Sequence, residues 1–389
     1  MYQSFSFFTS NIIFGMGAAK EVGAQATKLG AKKALVVTGP NVKKAGNIDS
    51  VLESLKVAGI ETEVWSMSLQ STEPTISLAD EASVVAKQIK ADIVIAVGGG
   101  SVMDVAKVAA ALVVNPKKGR DYFGVEMLEA RGIPTIMIPT TSGTGSEVTR
   151  HAMFLDDESN NKKGVVSAYL MANISIIDPM LTITCPSDIT ASAGFDALLH
   201  AAETFVSKGA NPLTDPLALQ AISIIAKWIG PAYADGSNLD ARYYMAMGSN
   251  IAGLPLNNSG TSLIHCLAYP VGSEYHFNHG KSLTPIVLAC FDAIMVAKQD
   301  RFVQMAAALG EDVKGLAPRD GAQRCLDALK ELMIRLDLPI CLNDLGINDQ
   351  SKVDQWAIDA HANRRLLSNC ARDLSVDDIK KIYLASFSR

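Results

Sequence analysis

The sequence predicts an α/β amino-terminal domain with a doubly wound parallel sheet, followed by an all-helical carboxyl-terminal domain. In the first part, short apolar stretches alternate with helical periodicity, an order typical of a parallel sheet covered on both faces. After Pro186, helical periodicity continues with almost no strand pattern. We therefore predict two domains, at residues 1–185 and 186–389.

The predicted elements follow the chain in order. An opening hairpin is expected from the apolar residues 5–7 and 11–15. Further strands are predicted at roughly 34–38, 61–65, 92–97 and 134–139, and helices at roughly 18–29, 48–58 and 76–90 and directly after residue 101. In the second part, helices are predicted at roughly 192–203, 212–229, 238–255, 260–268, 280–297, 299–309 and 318–336, with a helical tail past 350.

Composition excludes several classes of protein. An apolar fraction of 48% supports a large core, and no uninterrupted apolar run reaches the ~18 residues that a membrane span needs. A net charge of −5 argues against a nucleic-acid partner. Six scattered cysteines without a CxxC pair and the lack of a basic leader predict a cytoplasmic protein with reduced thiols.

The helical stretch at 192–203 carries a candidate metal-binding pair. Asp196 and His200 stand four residues apart in an Ala- and Leu-rich run. A helix would place both on one face, where they can reach the same ion. A capping Asp followed by a core His with satisfied hydrogen bonds explains the same spacing.

A second stretch, at residues 265–280, supplies further candidate ligands. It contains His265, His276 and His279 and almost no charged residues. Four of the six histidines of the chain fall in these two stretches. Together the stretches offer a carboxylate and several imidazoles, which suit a divalent metal.

Three loops at the carboxyl ends of predicted strands carry polar groups, and ligands of doubly wound sheets bind outside those ends. Gly98-Gly99-Gly100-Ser101 allows backbone N–H groups to approach a pyrophosphate at the start of a helix. A tight turn explains these glycines equally well, and the GxGxxG and GxxxxGK[ST] patterns are both absent. The loop at 140–147 is rich in hydroxyls that bind a cofactor or cap a helix, and Gly39 lies in the third loop.

These motifs, read together, resemble the iron-containing, group III alcohol dehydrogenase family. The resemblance runs from about residue 5 to 385 and rests on five segments: GGGSVMDVAK at 98–107, PTTSGTGSE at 139–147, Asp178-Pro179, GFDALLHAAE at 194–203, and the histidines between 265 and 280. It implies a dehydroquinate synthase-like fold with NAD or NADP and a metal ion. It also implies a homodimer or a larger homo-oligomer.

The resemblance assigns roles position by position. It implies the metal ligands Asp196, His200, His265 and His279. The expected cofactor contacts include the glycines of the strand-end loops. The full set is Gly39, Gly98, Gly99, Gly100, Ser101, Asp104, Thr140, Thr141, Thr144, Lys162 and Leu181. The expected catalytic residues are His265, His279, His276 and Tyr269.

Three departures from the family pattern bear on the chemistry. Many members have a second histidine where this chain has Tyr269. The group that relays the proton is therefore left open among Tyr269, His276, the cofactor ribose and water. His276 is equally consistent with an ordinary packed or surface histidine. Gly39 stands where NAD-selective members often carry an acidic residue, so NADP is not excluded by charge. Glu73 replaces a frequent Asn.

The predicted activity is a metal-dependent, NAD(P)-linked alcohol dehydrogenase or aldehyde reductase. Asp and His ligands suit Fe(II) and also Zn(II), and the resemblance favours iron. Arg150 and His151 suggest a small polar or anionic aldehyde, such as a hydroxyaldehyde, sulfoacetaldehyde or succinic semialdehyde, although a pairing of Arg150 with Glu147 is the expected arrangement. A dehydroquinate synthase-type or glycerol dehydrogenase-type enzyme and a non-catalytic metal- or nucleotide-binding protein are the alternatives.

Overall fold

The computed structural model describes residues 4–68, 73–158, 161–277 and 279–388. The strands are β1 (Asn11–Phe14), β2 (Lys33–Thr38), β3 (Glu61–Ser66), β4 (Ile93–Gly98), β5 (Gly124–Val125), β6 (Thr135–Pro139), β7 (His151–Leu155), β8 (Lys162–Val166) and β9 (Ile174–Ile177). The helices of the same region are α1 (Val22–Lys28), α2 (Pro40–Lys44), α3 (Asp49–Val57), α4 (Ile76–Gln88) and α5 (Gly100–Leu112).

Six of these strands form one parallel sheet, in the order β1-β9-β6-β4-β2-β3. Strand β4 is buried along its whole length. Its side chains alternate between two apolar clusters: Val94 and Ala96 pack on one face, and Ile93 and Ile95 pack on the other. A strand buried on both faces explains the continuous apolar run in the sequence.

The rest of the chain is helical. Its helices are α6 (Ser187–Val206), α7 (Thr214–Ala234), α8 (Leu239–Ser259), α9 (Leu263–Tyr275), α10 (His279–Leu283), α11 (Val287–Met295), α12 (Gln299–Ala308), α13 (Pro318–Arg335), α14 (Val353–Ala362), α15 (Arg364–Leu367) and α16 (Val376–Ala385). These helices surround one large apolar cluster that includes Phe195 and Phe205 of α6. The predicted fold class, a parallel α/β region followed by a helical region, is confirmed.

Helix α7 is long and apolar enough to cross a membrane by length and composition alone. A core helix of a soluble protein passes the same test. The inward residues of α7, among them Ala218, Ile222, Ile225 and Ile229, belong to the buried helical cluster. Packing against the other helices therefore accounts for the inward face of α7, since 33% of its most apolar stretch is buried.

The predicted opening hairpin is wrong. Strand β1 pairs in parallel with β9, and residues 5–7 form no strand. The backbone of Phe8 is instead held by side chains of α8, because Asn258 Oδ1 accepts from its N–H at 2.6 Å and Asn257 Nδ2 donates to its carbonyl at 3.0 Å. These contacts span some 250 residues, so local pattern could not indicate them.

Two further differences concern the element list. The single helix predicted at 280–297 is divided into α10, a short 3-10 turn at Thr284–Ile286 and α11. Pro285 lies in that turn and lacks the N–H that a continuous helix needs. Strands β5, β7, β8 and β9 were not predicted. Of these, β5, β8 and β7 form a second, three-stranded sheet, in which β7 and β8 pair antiparallel.

Candidate metal centre and cofactor cleft

The candidate metal centre begins on helix α6. Asp196 and His200 are one turn apart and only 3% and 5% exposed. Their side chains converge as the spacing predicts, with His200 Nε2 3.4 Å from Asp196 Oδ1. The rest of the helix is Ala- and Leu-rich and buried, which fixes this polar pair inside the protein.

Two further imidazoles reach the same carboxylate oxygen from other helices. His265, near the start of α9, places Nε2 3.4 Å from Asp196 Oδ1. His279, the first residue of α10, places Nε2 3.9 Å from it. The ligand atoms of Asp196, His265 and His279 lie within 4.8 Å of one another. The structure thus brings together the carboxylate and three imidazoles that the sequence singles out.

The residues of this cluster fit a divalent cation. Asp196 Oδ1 and His265 Nε2 are buried and have no hydrogen-bond partner among the described residues. Buried polar atoms are normally satisfied, and an unsatisfied one costs free energy. A cation bound between the carboxylate and the imidazoles would satisfy both atoms.

A residue that sequence reasoning did not assign supports the cluster from behind. Glu203, on α6, is 1% exposed, and its Oε1 accepts hydrogen bonds from Ile264 N at 2.8 Å and Ser262 Oγ at 3.2 Å. Its Oε2 contacts His265 Nδ1. This carboxylate therefore holds the start of α9 and turns the Nε2 of His265 towards Asp196. The position of Glu203, three residues after His200, was the available signal, but the partners of Glu203 lie at the start of α9.

The pKa values of the cluster residues are shifted by burial and by their charged neighbours. Burial alone would raise the pKa of Asp196, but the neighbouring His200 and His279 outweigh it and hold this pKa below its usual value. Burial alone would lower the pKa of His265, whereas the carboxylates of Glu203 and Asp196 raise it to about 9. Burial and the Lys162 ammonium lower the pKa of His279. Two carboxylates facing these imidazoles make the centre attractive to a cation.

The glycine loop lies at the end of β4, beside the end of β6. Gly98 faces Pro139 across the sheet, and Thr140 N donates to Gly98 O at 3.0 Å. A Cβ at Gly98 would lie 2.5 Å from Val102 Cγ2, and one at Gly100 would lie 2.7 Å from the Thr144 side chain. Close packing therefore requires glycine at both positions, independently of any ligand.

The same loop leaves a helix start open for an anion. Helix α5 begins at Gly100 with Gly99 as its N-cap, and no side chain caps its first N–H groups. Ser101 follows in the first turn, and Thr141 lies across the loop, 3.6 Å from where a Cβ of Gly99 would stand. This arrangement suits the pyrophosphate of a dinucleotide.

Other predicted cofactor residues lie in different environments. Asp104 is engaged by the protein itself, because Ser146 Oγ donates to its Oδ1 at 2.5 Å and Met153 N donates to its Oδ2 at 2.8 Å. The buried Lys107 completes that network at 3.1 Å. Gly39 is the N-cap of α2 at the end of β2. Leu181 is 7% exposed and packs in the apolar cluster that also contains Ile93 and Ile95.

A cavity adjoins the metal centre and contains the remaining predicted residues. Tyr269 and His276 line it together with His279, Lys162 and Glu73. Lys162 Nζ lies 2.9 Å from Glu73 Oε1 and 5.4 Å from the centre of the Tyr269 ring. The Tyr269 and His279 rings are 6.2 Å apart, so the phenol that replaces the second family histidine lies beside a candidate metal ligand.

The expected pairing of Arg150 with Glu147 is wrong. Glu147 Oε1 accepts a hydrogen bond from Asn250 Nδ2 at 3.0 Å, and the Arg150 guanidinium lies 5.9 Å from the centre of the Phe8 ring. Residues Ser146–Val148 form a short 3-10 turn, so Glu147 and Arg150 do not share a helix face. Neither Arg150 nor His151 is among the described residues that line the cavity.

Comparison with known proteins agrees with this geometry. The model of the iron-containing alcohol dehydrogenase family matches residues 9–179, and the model of its C-terminal domain matches residues 190–387. Long-chain-alcohol dehydrogenase 1 of Geobacillus thermodenitrificans is 37% identical over 96% of this chain and 94% of its own length.

Two solved structures are similar over nearly the whole chain. A 1,3-propanediol oxidoreductase has a TM-score of 0.95 and 33% identity and covers 99% of this chain and 100% of its own. The sulfoacetaldehyde reductase of Bifidobacterium kashiwanohense in complex with NAD+ has a TM-score of 0.88 and 27% identity, with coverage of 100% and 99%. The resemblance noted from the motifs is confirmed: the chain is an oxidoreductase that belongs to the iron-containing alcohol dehydrogenase family.

Proposed function

We propose that this protein is a metal-dependent, NAD(P)-linked enzyme that interconverts small aldehydes and primary alcohols. The observation that carries the proposal is the pair of buried, unpartnered atoms, Asp196 Oδ1 and His265 Nε2, beside a cavity lined by His279 and Tyr269. The relatives compared above are alcohol dehydrogenases and an aldehyde reductase, which supports the same chemistry.

The proposed division of labour follows from the positions of the residues. Asp196, His200, His265 and His279 hold the cation, Fe(II) by family membership and Zn(II) by the same ligand chemistry. When bound, the cation supplies Lewis acidity towards the substrate oxygen and the nicotinamide supplies or accepts the hydride. The chain itself aligns the two, with Glu203 fixing the ring of His265.

The cofactor side of the proposal rests on the loops at the strand ends. The open N–H groups at the start of α5 suit the pyrophosphate, with Ser101, Thr140, Thr141 and Thr144 nearby in the same loops. Gly39 places no negative charge at the end of β2, so the proposal includes NADP as well as NAD.

Proton movement is proposed to involve the cavity wall. The Tyr269 hydroxyl can both donate and accept a hydrogen bond, and the ring lies beside His279. His276 lines the same cavity and offers a second group for exchange with solvent. Substrates in the proposed class are small polar or anionic aldehydes, such as a hydroxyaldehyde, sulfoacetaldehyde or succinic semialdehyde, and the corresponding primary alcohols.

Three broader features are also part of the proposal. We propose a cytoplasmic enzyme that works as a homodimer or larger homo-oligomer, with domains divided near residue 185.

The dehydroquinate synthase-type alternative is less well supported, because such a site needs clustered basic residues. Among the described residues lining the cavity, Lys162 is the sole lysine or arginine, and it is paired with Glu73.

A panel of short aldehydes tests the proposed function. The protein is loaded separately with Fe(II) and Zn(II), and consumption of NADH and NADPH is followed by absorbance. We expect turnover of at least one aldehyde class with one of the metals, and the reverse reaction with the matching alcohol. Absence of coenzyme oxidation with every aldehyde, together with retained metal and NADH binding, would identify a non-catalytic binding protein instead.

A further inference from the structure

We propose that Glu73 sets the charge preference of the substrate cavity, so that uncharged and cationic aldehydes are preferred to anionic ones. This inference rests on the function proposed above and narrows its substrate class: hydroxyaldehydes are retained, whereas the anionic candidates, sulfoacetaldehyde and succinic semialdehyde, become poor substrates. Under this proposal, this chain differs in substrate preference from an enzyme that binds sulfonate or carboxylate substrates, although the two enzymes would have the same metal ligands.

The carboxylate of Glu73 lies on the wall of the cavity beside the metal centre. Its Oε1 is 2.9 Å from Lys162 Nζ, and the two side chains are only 16% and 9% exposed. Both residues line the cavity together with His279 and Tyr269. A substrate that reaches His279 through this cavity therefore passes close to the Glu73–Lys162 ion pair.

The ion pair removes the positive charge that an anionic substrate would need. Lys162 Nζ lies 2.9 Å from Glu73 Oε1, so the carboxylate offsets the positive charge of the lysine. An anion in the cavity would meet that carboxylate at short range and in partly dry surroundings. Like charges brought together in this way lose binding free energy.

Apart from Lys162, which is paired with Glu73, no lysine or arginine among the described residues lines the cavity. The guanidinium of Arg150 lies over Phe8 and does not line the cavity. Burial, together with the charges of Arg365 and Lys107, lowers the pKa of His151 to about 3, so this imidazole is neutral. The two residues that suggested an anionic substrate from sequence therefore offer no charge to it. Hydroxyl groups of an uncharged substrate can instead donate to Glu73, and a cation is attracted by it.

Three aldehydes of different charge test the proposal. The metal-loaded enzyme is assayed with NADH and sulfoacetaldehyde, propanal or betaine aldehyde, which are anionic, neutral and cationic. Glu73→Gln keeps the shape of the side chain and a hydrogen bond to Lys162 but removes the negative charge. We expect the ratio of kcat/KM for the anionic to the neutral aldehyde to rise about tenfold or more, and the ratio for the cationic aldehyde to fall.

Two controls separate charge at the cavity from a general effect. Glu61, on β3, forms an ion pair with Lys33 of β2 at 2.5 Å, and neither is among the described residues that line the cavity. Glu61→Gln removes this pair and should leave all the ratios at their wild-type values. Glu73→Gln combined with Lys162→Met should not show the rise in the sulfoacetaldehyde-to-propanal ratio of kcat/KM that is expected for Glu73→Gln alone, because the unpaired ammonium of Lys162 is then absent. Ratios in E73Q that equal those of the wild type would overturn the proposal.

A binding measurement keeps the test independent of turnover. Isethionate and choline share a hydroxyethyl group and differ in the sign of their charge, so calorimetric titration of each alcohol into the metal-loaded protein reports the charge preference directly. We expect E73Q to strengthen isethionate binding and weaken choline binding relative to the wild type. Failure of every aldehyde to oxidise NADH would contradict the proposed function, whereas unchanged isethionate and choline affinities would contradict the role of Glu73.

Discussion

The metal side and the cofactor side of this protein stand close together but are held by different forces. On the metal side, the side chains of Asp196, His200 and His265 are buried, and that of His279 is half-buried. One buried atom in each of the first three has no hydrogen-bond partner among the described residues. On the proposed cofactor side, no side chain caps the first N–H groups of α5, and Gly98 and Gly100 pack tightly against Val102 and Thr144. The metal side therefore depends on charge, and the cofactor side depends on space.

This difference predicts which changes each side tolerates. A substitution that removes a charge but keeps the shape of the side chain should weaken metal binding when it is made on the metal side. An added methyl group should weaken coenzyme binding when it is made on the cofactor side. The predictions below test that separation in order of decreasing expected effect.

Asp196→Ala is expected to have the largest effect. It removes the carboxylate oxygen that lies 3.4 Å from His200 Nε2 and from His265 Nε2. Metal content should fall to background, and kcat/KM should fall by about a thousandfold or more. The fold should persist, since the removed side chain is polar and the apolar cluster around α6 is unchanged. Metal analysis, circular dichroism and coenzyme oxidation measure the three quantities.

The control for this change lies on the same helix. Asp188 is exposed in the first turn of α6, so Asp188→Ala removes the same functional group without touching the cluster. It should keep both metal and activity. Normal metal content in purified D196A would mean that the cation is held elsewhere.

Glu203→Gln tests whether the support behind the metal side also depends on charge. Both carboxylate oxygens of Glu203 accept from donors: Oε1 from Ile264 N and Oε2 from His265 N. An amide would turn an NH2 group towards one of these donors and leave it unsatisfied. We expect metal affinity, measured by competition with a chelator, to fall roughly 10–100-fold.

Glu126→Gln is the matched control for that prediction. Glu126 also accepts from a hydroxyl and a backbone N–H, those of Ser167 (2.9 Å) and Ala168 (3.1 Å), but it lies outside the metal centre. Its variant should bind metal with wild-type affinity. Equal affinities for E203Q and wild type would show that His265 is positioned without Glu203, whatever the thermal stability of the variants.

The predictability of the two sides from sequence also differs. Asp196 and His200 are four residues apart, and the glycine loop directly follows a buried strand, so both signals are local. Other features depend on partners distant in the chain. Glu203 contacts His265, β9 pairs with β1, and Arg150 lies over Phe8. Local pattern therefore predicted the fold class, and the family resemblance supplied the full set of candidate residues. The support behind His265 and the environment of Arg150 required tertiary structure.

Gly98→Ala tests the dependence of the cofactor side on space. A Cβ at Gly98 would stand 2.5 Å from Val102 Cγ2, whereas a Cβ at Gly230 of α7 would meet no atom within 4 Å. Overpacking of the kind expected at Gly98 costs about 1–3 kcal/mol. We expect G98A to lower the melting temperature and weaken NADH binding. Gly230→Ala should do neither, and both variants should keep full metal content.

The double variant Gly98→Ala/Val102→Ala distinguishes crowding from a direct contact between Gly98 and the cofactor. Val102 lies on α5, and its Cγ2 is the nearest atom to the added methyl group. Shortening it removes the overlap, so NADH affinity should recover towards the wild-type value if space alone is limiting. Continued loss of affinity in the double variant, with normal stability, would mean that the methyl group itself blocks the approach of the pyrophosphate. The cofactor side would then depend on access to the backbone as well as on packing.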